Sequence, residues 1–174
     1  TGSTYTLGDA DVGTTITVVA SYTDGEGTAE SVTSAGVGPV VNVNDAPTGS
    51  VTISGTLIED QTLTASNTLA DADGMGSVSY QWQRDGSDIT GATGASYTLG
   101  DADVGATITV VATYTDGNST VENVTSNSVG PIANVNDAPT GAVTISGTAE
   151  EDQTLTVANT LADADGMGTV SYQW

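Results

Sequence analysis

The chain has 174 residues, 22 acidic side chains, one basic side chain, no histidine and no cysteine, for a formal net charge of -21. This inventory excludes nucleophiles activated by imidazole, zinc sites built from thiolate or imidazole, and a P-loop, which needs its lysine. A single arginine cannot neutralise a phosphate backbone or an anionic bilayer, so neither nucleic acid nor acidic lipid is an expected partner.

What remains is oxygen chemistry. Carboxylates, amide carbonyls and hydroxyls are the hard donors that suit calcium and magnesium, and calcium leads. The acidity does not imply disorder, because 37% of the residues are hydrophobic and they follow a pattern. With 31 threonines and few strong helix formers, the composition favours strands. No apolar run approaches the roughly 18 residues of a membrane span. The chain opens inside a pattern and reads as an excerpt of something longer.

The first motif, Tyr5-Thr6-Leu7-Gly8-Asp9-Ala10-Asp11-Val12-Gly13, recurs from Tyr97 to Gly105, and Asn44-Asp45-Ala46-Pro47 recurs from Asn136 to Pro139. Laying residues 1–82 over 93–174 gives 64 identities in 82 ungapped pairs, so the chain is a tandem array with a period of 92. A period of that length, rich in strand signals, points to successive globular domains rather than a solenoid of short coils.

In the copy that runs unbroken through the middle, Val51 and Ile53 alternate in a first strand, and Leu63, Ala65 and Leu69 share a parity in a second. Val78, Tyr80 and Trp82 alternate with polar residues in a third, which ends at the Arg84-Asp85-Gly86-Ser87 turn. Ile89 follows, then Tyr97 and Leu99, then the long alternation of Ile108, Val110, Ala112 and Tyr114, and last Val121, Val124 and Val129. About seven short strands separated by Gly, Asn and Asp turns predict an all-β fold, an antiparallel two-sheet sandwich. Thr107-Ile108-Thr109 and Thr62-Leu63-Thr64 lie at irregular spacing on different strands. They read as solvent-facing strand formers rather than as one flat ligand-binding face.

The segment Tyr80-Gln81-Trp82-Gln83-Arg84-Asp85-Gly86, followed by Tyr97-Thr98-Leu99 and Asp103-Val104-Gly105, resembles the tryptophan strand and later Asp-x-Gly turn of immunoglobulin-like domains. Units that close on Asn-Asp-Ala-Pro are similar to the extender repeats of giant RTX adhesins and related cadherin-like bacterial surface proteins. The resemblance covers the whole chain, with one departure: the inter-sheet disulfide of antibody domains is absent, so Trp82 would pack on apolar side chains alone. It implies an extracellular, cell-surface adhesin, secreted and anchored at the outer membrane, in which many such domains hold a ligand-binding tip away from the cell.

Strand directions place the acidic motifs. The turn holding Glu59 and Asp60, the turn holding Asp101 and Asp103, and the connector Asn134, Asn136 and Asp137 all fall at the end from which the last strand leaves. Asp163 and Asp165 belong to the loop of the following copy that meets this end. At the preceding junction the same logic gathers Asp9, Asp11, Asn42, Asn44, Asp45, Asp71 and Asp73, while Glu151 and Asp152 repeat the Glu59-Asp60 turn. This arrangement resembles cadherin linkers, in which calcium is caged by two domains and their connector. Calcium takes 6–8 oxygens at about 2.3–2.6 Å, more than one short loop here could supply. Neither Asp-x-Asp fits an EF-hand, whose terminal bidentate glutamate is missing. The turn Asp24-Gly25-Glu26, or Asp116-Gly117-Asn118, lies at the other end, differs between copies and is left out of the expected ligand set.

The expected organisation is a trailing half-domain over residues 1–45, a complete immunoglobulin-like repeat over 46–137 and a leading half-domain over 138–174. Neighbouring repeats are the expected partners, with head-to-tail association of the two complementary halves. A rival arrangement closes 1–82 and 93–174 each on itself, with Gln83–Ala92 as linker. The expected function is a calcium-stiffened structural extender with Ca2+ as its only cofactor, no catalysis and no membrane insertion. The alternative is that the repeats themselves bind a carbohydrate or ice surface; a glycosidase is disfavoured, because no lone acid sits in an aromatic-rich stretch.

Overall fold

The computed structural model describes residues 2–174. It is all-β: the strands are β1 (Val19–Thr23), β2 (Ala29–Thr33), β3 (Val51–Ser54), β4 (Thr62–Asn67), β5 (Ser79–Arg84), β6 (Ser87–Asp88), β7 (Ser96–Thr98), β8 (Ile108–Thr115), β9 (Val121–Thr125), β10 (Val143–Ser146) and β11 (Thr156–Asn159). Single 3-10 turns at Asp9–Asp11 and Asp101–Asp103 are the only helical elements among the described residues.

The middle copy forms two sheets, a three-stranded one in the order β3-β4-β7 and a four-stranded one in the order β6-β5-β8-β9. Strand β4 pairs antiparallel with β7, Leu63 opposite Tyr97, and β5 turns back on β6 through Arg84 and Ser87. Within Gln83–Ala92, Gln83 and Arg84 pair with Asp88 and Ser87, and the Trp82 N–H bonds the Ala92 carbonyl at 2.9 Å. The outer copies form two-stranded antiparallel pairs, β1 with β2 and β10 with β11.

Several expected strands are shorter than their apolar parity implies, with Val78, Ile89 and Leu99 just outside β5, β6 and β7. Strand β4 stops at Asn67, whose side-chain oxygen accepts the Leu69 N–H at 3.3 Å and interrupts the ladder, and pairing resumes at Ala70, which bridges Thr48. Val129 lies beyond β9 and meets Ile108 in an isolated bridge. Within β9 the half-buried side carries Glu122 and Val124, so Val121 faces solvent.

By contacts the chain divides into two compact units. One holds residues up to Val51 with Asn67–Ser79 and Ala112–Val124; the other holds Thr52–Ser66, Tyr80–Val111 and Thr125–Trp174. In the second unit Leu63, Trp82, Ile108 and Val110 are fully enclosed, and Leu99 and Ile132 are buried almost as completely. Trp82 of β5 and Tyr97 of β7 bring their rings to 5.8 Å, which joins the two sheets, and the indole N–H bonds the Gly94 carbonyl at 2.9 Å. In the first unit Val51, Ala112 and Tyr114 are the buried apolar side chains.

Among the described residues, every buried apolar side chain lies in the stretch from Val51 to Ile132. The same residue types one period away are bare: Trp174 is 71% exposed against 0% for Trp82, and Tyr22 59% against 2% for Tyr114. Closely similar sequence thus has two environments within one chain.

Candidate metal centres

The first centre lies in the second unit and is built by the chain leaving the sandwich. Ile132 is buried, and it and Ala133 form parallel bridges to Val104 and Ile58, which threads the connector between the two acidic turns. The Gly105 N–H donates to Ile132 and the Glu59 N–H to Ala133, both at 2.9 Å. This pinning brings Glu59, Asp101 and Asp137 together, with one carboxylate oxygen of each within 4.8 Å of the others. Glu59 is only 2% exposed; its Oε2 accepts the Val135 N–H at 3.1 Å, and its Oε1 is buried with no partner. A buried carboxylate oxygen without a donor is costly, so native structures rarely leave one without a cation or hydrogen bond.

The following copy reaches the same place. The Asp165 carboxylate accepts the Asn134 side-chain N–H and the Asp137 N–H, each at 2.7 Å, and the Asp163 carboxylate accepts the Asp165 N–H at 3.0 Å. Asn136 donates its side-chain N–H to the Asp137 carbonyl at 2.7 Å. Asp60 sits at the turn with a φ of 64°, exposed at the rim, and its N–H bonds the Leu99 carbonyl.

The first unit holds the second acidic cluster. Asp71, Asp116 and Glu122 offer carboxylate oxygens within 4.8 Å of one another. Asp73 accepts the Asp45 N–H at 2.8 Å and the Asn118 side-chain N–H at 3.0 Å, while Asn44 donates to Glu122 at 2.8 Å. Gly117 permits this closeness: a Cβ there would stand 2.5 Å from the Asp73 carbonyl oxygen. Asn42, Asp9 and Asp45 line one shallow hollow.

Two expected ligands are engaged elsewhere. Asp103 is buried; its Oδ1 accepts the Arg84 Nε–H at 2.7 Å, and its Oδ2 accepts the Tyr97 hydroxyl at 2.7 Å and the Gly100 N–H at 2.9 Å. Asp11 does the same for the Tyr5 hydroxyl and the Gly8 N–H. In the turns at Asp9–Asp11 and Asp101–Asp103 the second acid therefore closes its own turn, accepting from the N–H of the glycine before it and from a tyrosine hydroxyl. Glu151 and Asp152 are exposed and join neither cluster. Asp116 and Glu122 were outside the expected set; their signal is that Asp24 and Glu30 repeat them one period earlier.

The clusters shift their own titration. For Glu59 the Val135 N–H lowers the pKa, but burial and the Asp101 carboxylate prevail and raise it. Burial, then Asp101 and Asp165, raise Asp137; Asp9, then burial and Asp73, raise Asp45. The folded chain thus holds more protons than the unfolded chain just above the ordinary carboxylate values of 3.8 and 4.5, so these groups reduce stability as pH rises through that window. Asp85 and Asp165, lowered chiefly by bonds from Thr107 and Asn134, act oppositely below that window. In chelator, melting temperature is expected to rise on acidification from neutrality toward that window, and in calcium to fall, because protons compete for the same oxygens. Thermal melts across pH in both conditions check this; a chelated chain that loses stability over that range contradicts it.

No protein-family model, curated protein or solved structure matches the chain. Its class rests on fold and site: an all-β, histidine-free and cysteine-free protein whose carboxylates gather at the strand ends.

Proposed function

We propose that the chain is a calcium-binding structural extender of a bacterial cell-surface adhesin, outside the cell and without catalytic activity. The observation that carries this reading is Glu59, a buried carboxylate with a partnerless Oε1 beside Asp101 and Asp137. The residues fit calcium: the donors are all oxygen, and the sole basic side chain, Arg84, is bonded to Asp103 and does not neutralise the cluster. Glu59, Asp101 and Asp137 would hold the ion, with Asn134, Asn136, Asp163 and Asp165 fixing the connector around it. Unneutralised, these carboxylates repel; with the ion they tie one copy to the next.

The partners are neighbouring repeats of the same kind, whose complementary halves would cover the bare apolar faces of residues 1–45 and 138–174, including association head to tail. Small-angle scattering of the chain in calcium and in chelator tests the stiffening. The expected result is a longer, narrower distance distribution in calcium; superimposable profiles would refute it.

A further inference from the structure

We propose that Asp71, Asp116 and Glu122 form a second calcium site, contained within the copy spanning 46–137 and separate from the Glu59 centre. Asp116 closes β8, and its Oδ1 accepts the N–H groups of Asn118 and Thr120 at 2.8 and 2.7 Å. That turn accounts for one oxygen only. Asp116 is 6% exposed, and its Oδ2 is buried with no partner.

The copy one period earlier separates turn from site. Asp24 makes the same two bonds, to the N–H groups of Glu26 and Thr28, yet stays half-exposed. The turn therefore does not require a buried, orphaned Oδ2. Besides two residues of the turn, Asn118 and Ser119 in place of Glu26 and Gly27, what differs at Asp116 is the adjacent loop, where the Gly117 N–H bonds the Asp73 carbonyl at 3.0 Å. Glu122 stands on the half-buried side of β9 with one oxygen held by Asn44, and Asp71 is oriented by the Asp73 N–H and the Tyr114 hydroxyl.

The three oxygens lie within 4.8 Å of one another, a span that ligands at about 2.3–2.6 Å from one ion can bridge. The remaining positions fall to water and neutral oxygens, as calcium's irregular shell allows. The bound ion clamps the loop at Asp71–Gly74 to the turn at Asp116–Thr120. This rests on the same cation chemistry as the proposed function but on different ligands, so the two can fail separately.

The test is the number of calcium ions bound per full chain, by equilibrium dialysis with isotopic calcium, with near-ultraviolet circular dichroism to check the fold. Glu122→Gln and Asp116→Asn are each expected to remove one ion, Glu59→Gln a different one, and Glu59→Gln with Glu122→Gln both. Asparagine at 116 keeps the oxygen that caps the turn; should that variant fail to fold, Glu122→Gln decides alone. An unchanged count in folded Glu122→Gln overturns this site while leaving the Glu59 centre standing. No bound calcium in the wild-type chain overturns both.

Discussion

Adding calcium to the chelated chain is expected to raise its melting temperature by about 5–10 °C at a hundredfold excess over Kd, since such an excess stabilises the bound state by about 2.7 kcal/mol. The sharper result is the response of Glu59→Gln. In wild type the buried Glu59 carboxyl faces Asp101 and Asp137 without a countercharge. A neutral amide of the same shape removes that repulsion and keeps an oxygen for the Val135 N–H. In chelator the variant is therefore expected to melt at or above the wild-type temperature, and in calcium below it. Calorimetry in both conditions measures the crossing. A variant that loses the same stability with and without calcium would make Glu59 a structural residue and remove the main support for the metal reading.

The second large effect separates two tryptophans in the same sequence context. Trp82→Ala is expected to cost about 3–5 kcal/mol, the range for emptying a core aromatic site. Trp82 is fully enclosed, stacks near Tyr97 and bonds Gly94, so all of that contact is lost. In the dilute, unpaired chain Trp174→Ala is expected to change stability by no more than about 0.5 kcal/mol, because Trp174 is 71% exposed. Urea titrations followed by circular dichroism check both. An equal, large cost at Trp174 in dilute solution would mean that its face is covered, as head-to-tail pairing of the halves requires. A rise in that cost with protein concentration would show pairing between molecules.

Most strands of the middle copy were legible because alternation with a period of two is a local property. Val51, Leu63, Trp82 and Ile108 each declare an inward side within a few residues. The long strand keeps its parity from Ile108 to Tyr114 without a break. Where a polar side chain competes for the backbone, the pattern misleads: Asn67 ends β4 two residues before the apolar Leu69. The grouping of Glu59, Asp101 and Asp137 was also legible, since turn order along antiparallel strands decides which loops share an end. Which acid of each Asp-x-Asp turn stays free was not. Asp101 and Asp103 have the same chemistry, and only the position of Arg84 and Tyr97 in space distinguishes them.

By itself the sequence determined the repeat, the all-β class, the inward residues and the restriction to oxygen ligands, because composition and period-two patterning are carried by neighbouring residues. Tertiary structure alone decided the rest. It buried Trp82 and Tyr114 and bared their counterparts Trp174 and Tyr22, turned Asp103 inward to the sole arginine, and brought Asp116 and Glu122 against Asp71. The physical reason is common to all three: burial and carboxylate spacing depend on which strands pack together, and that is not written in any one of them.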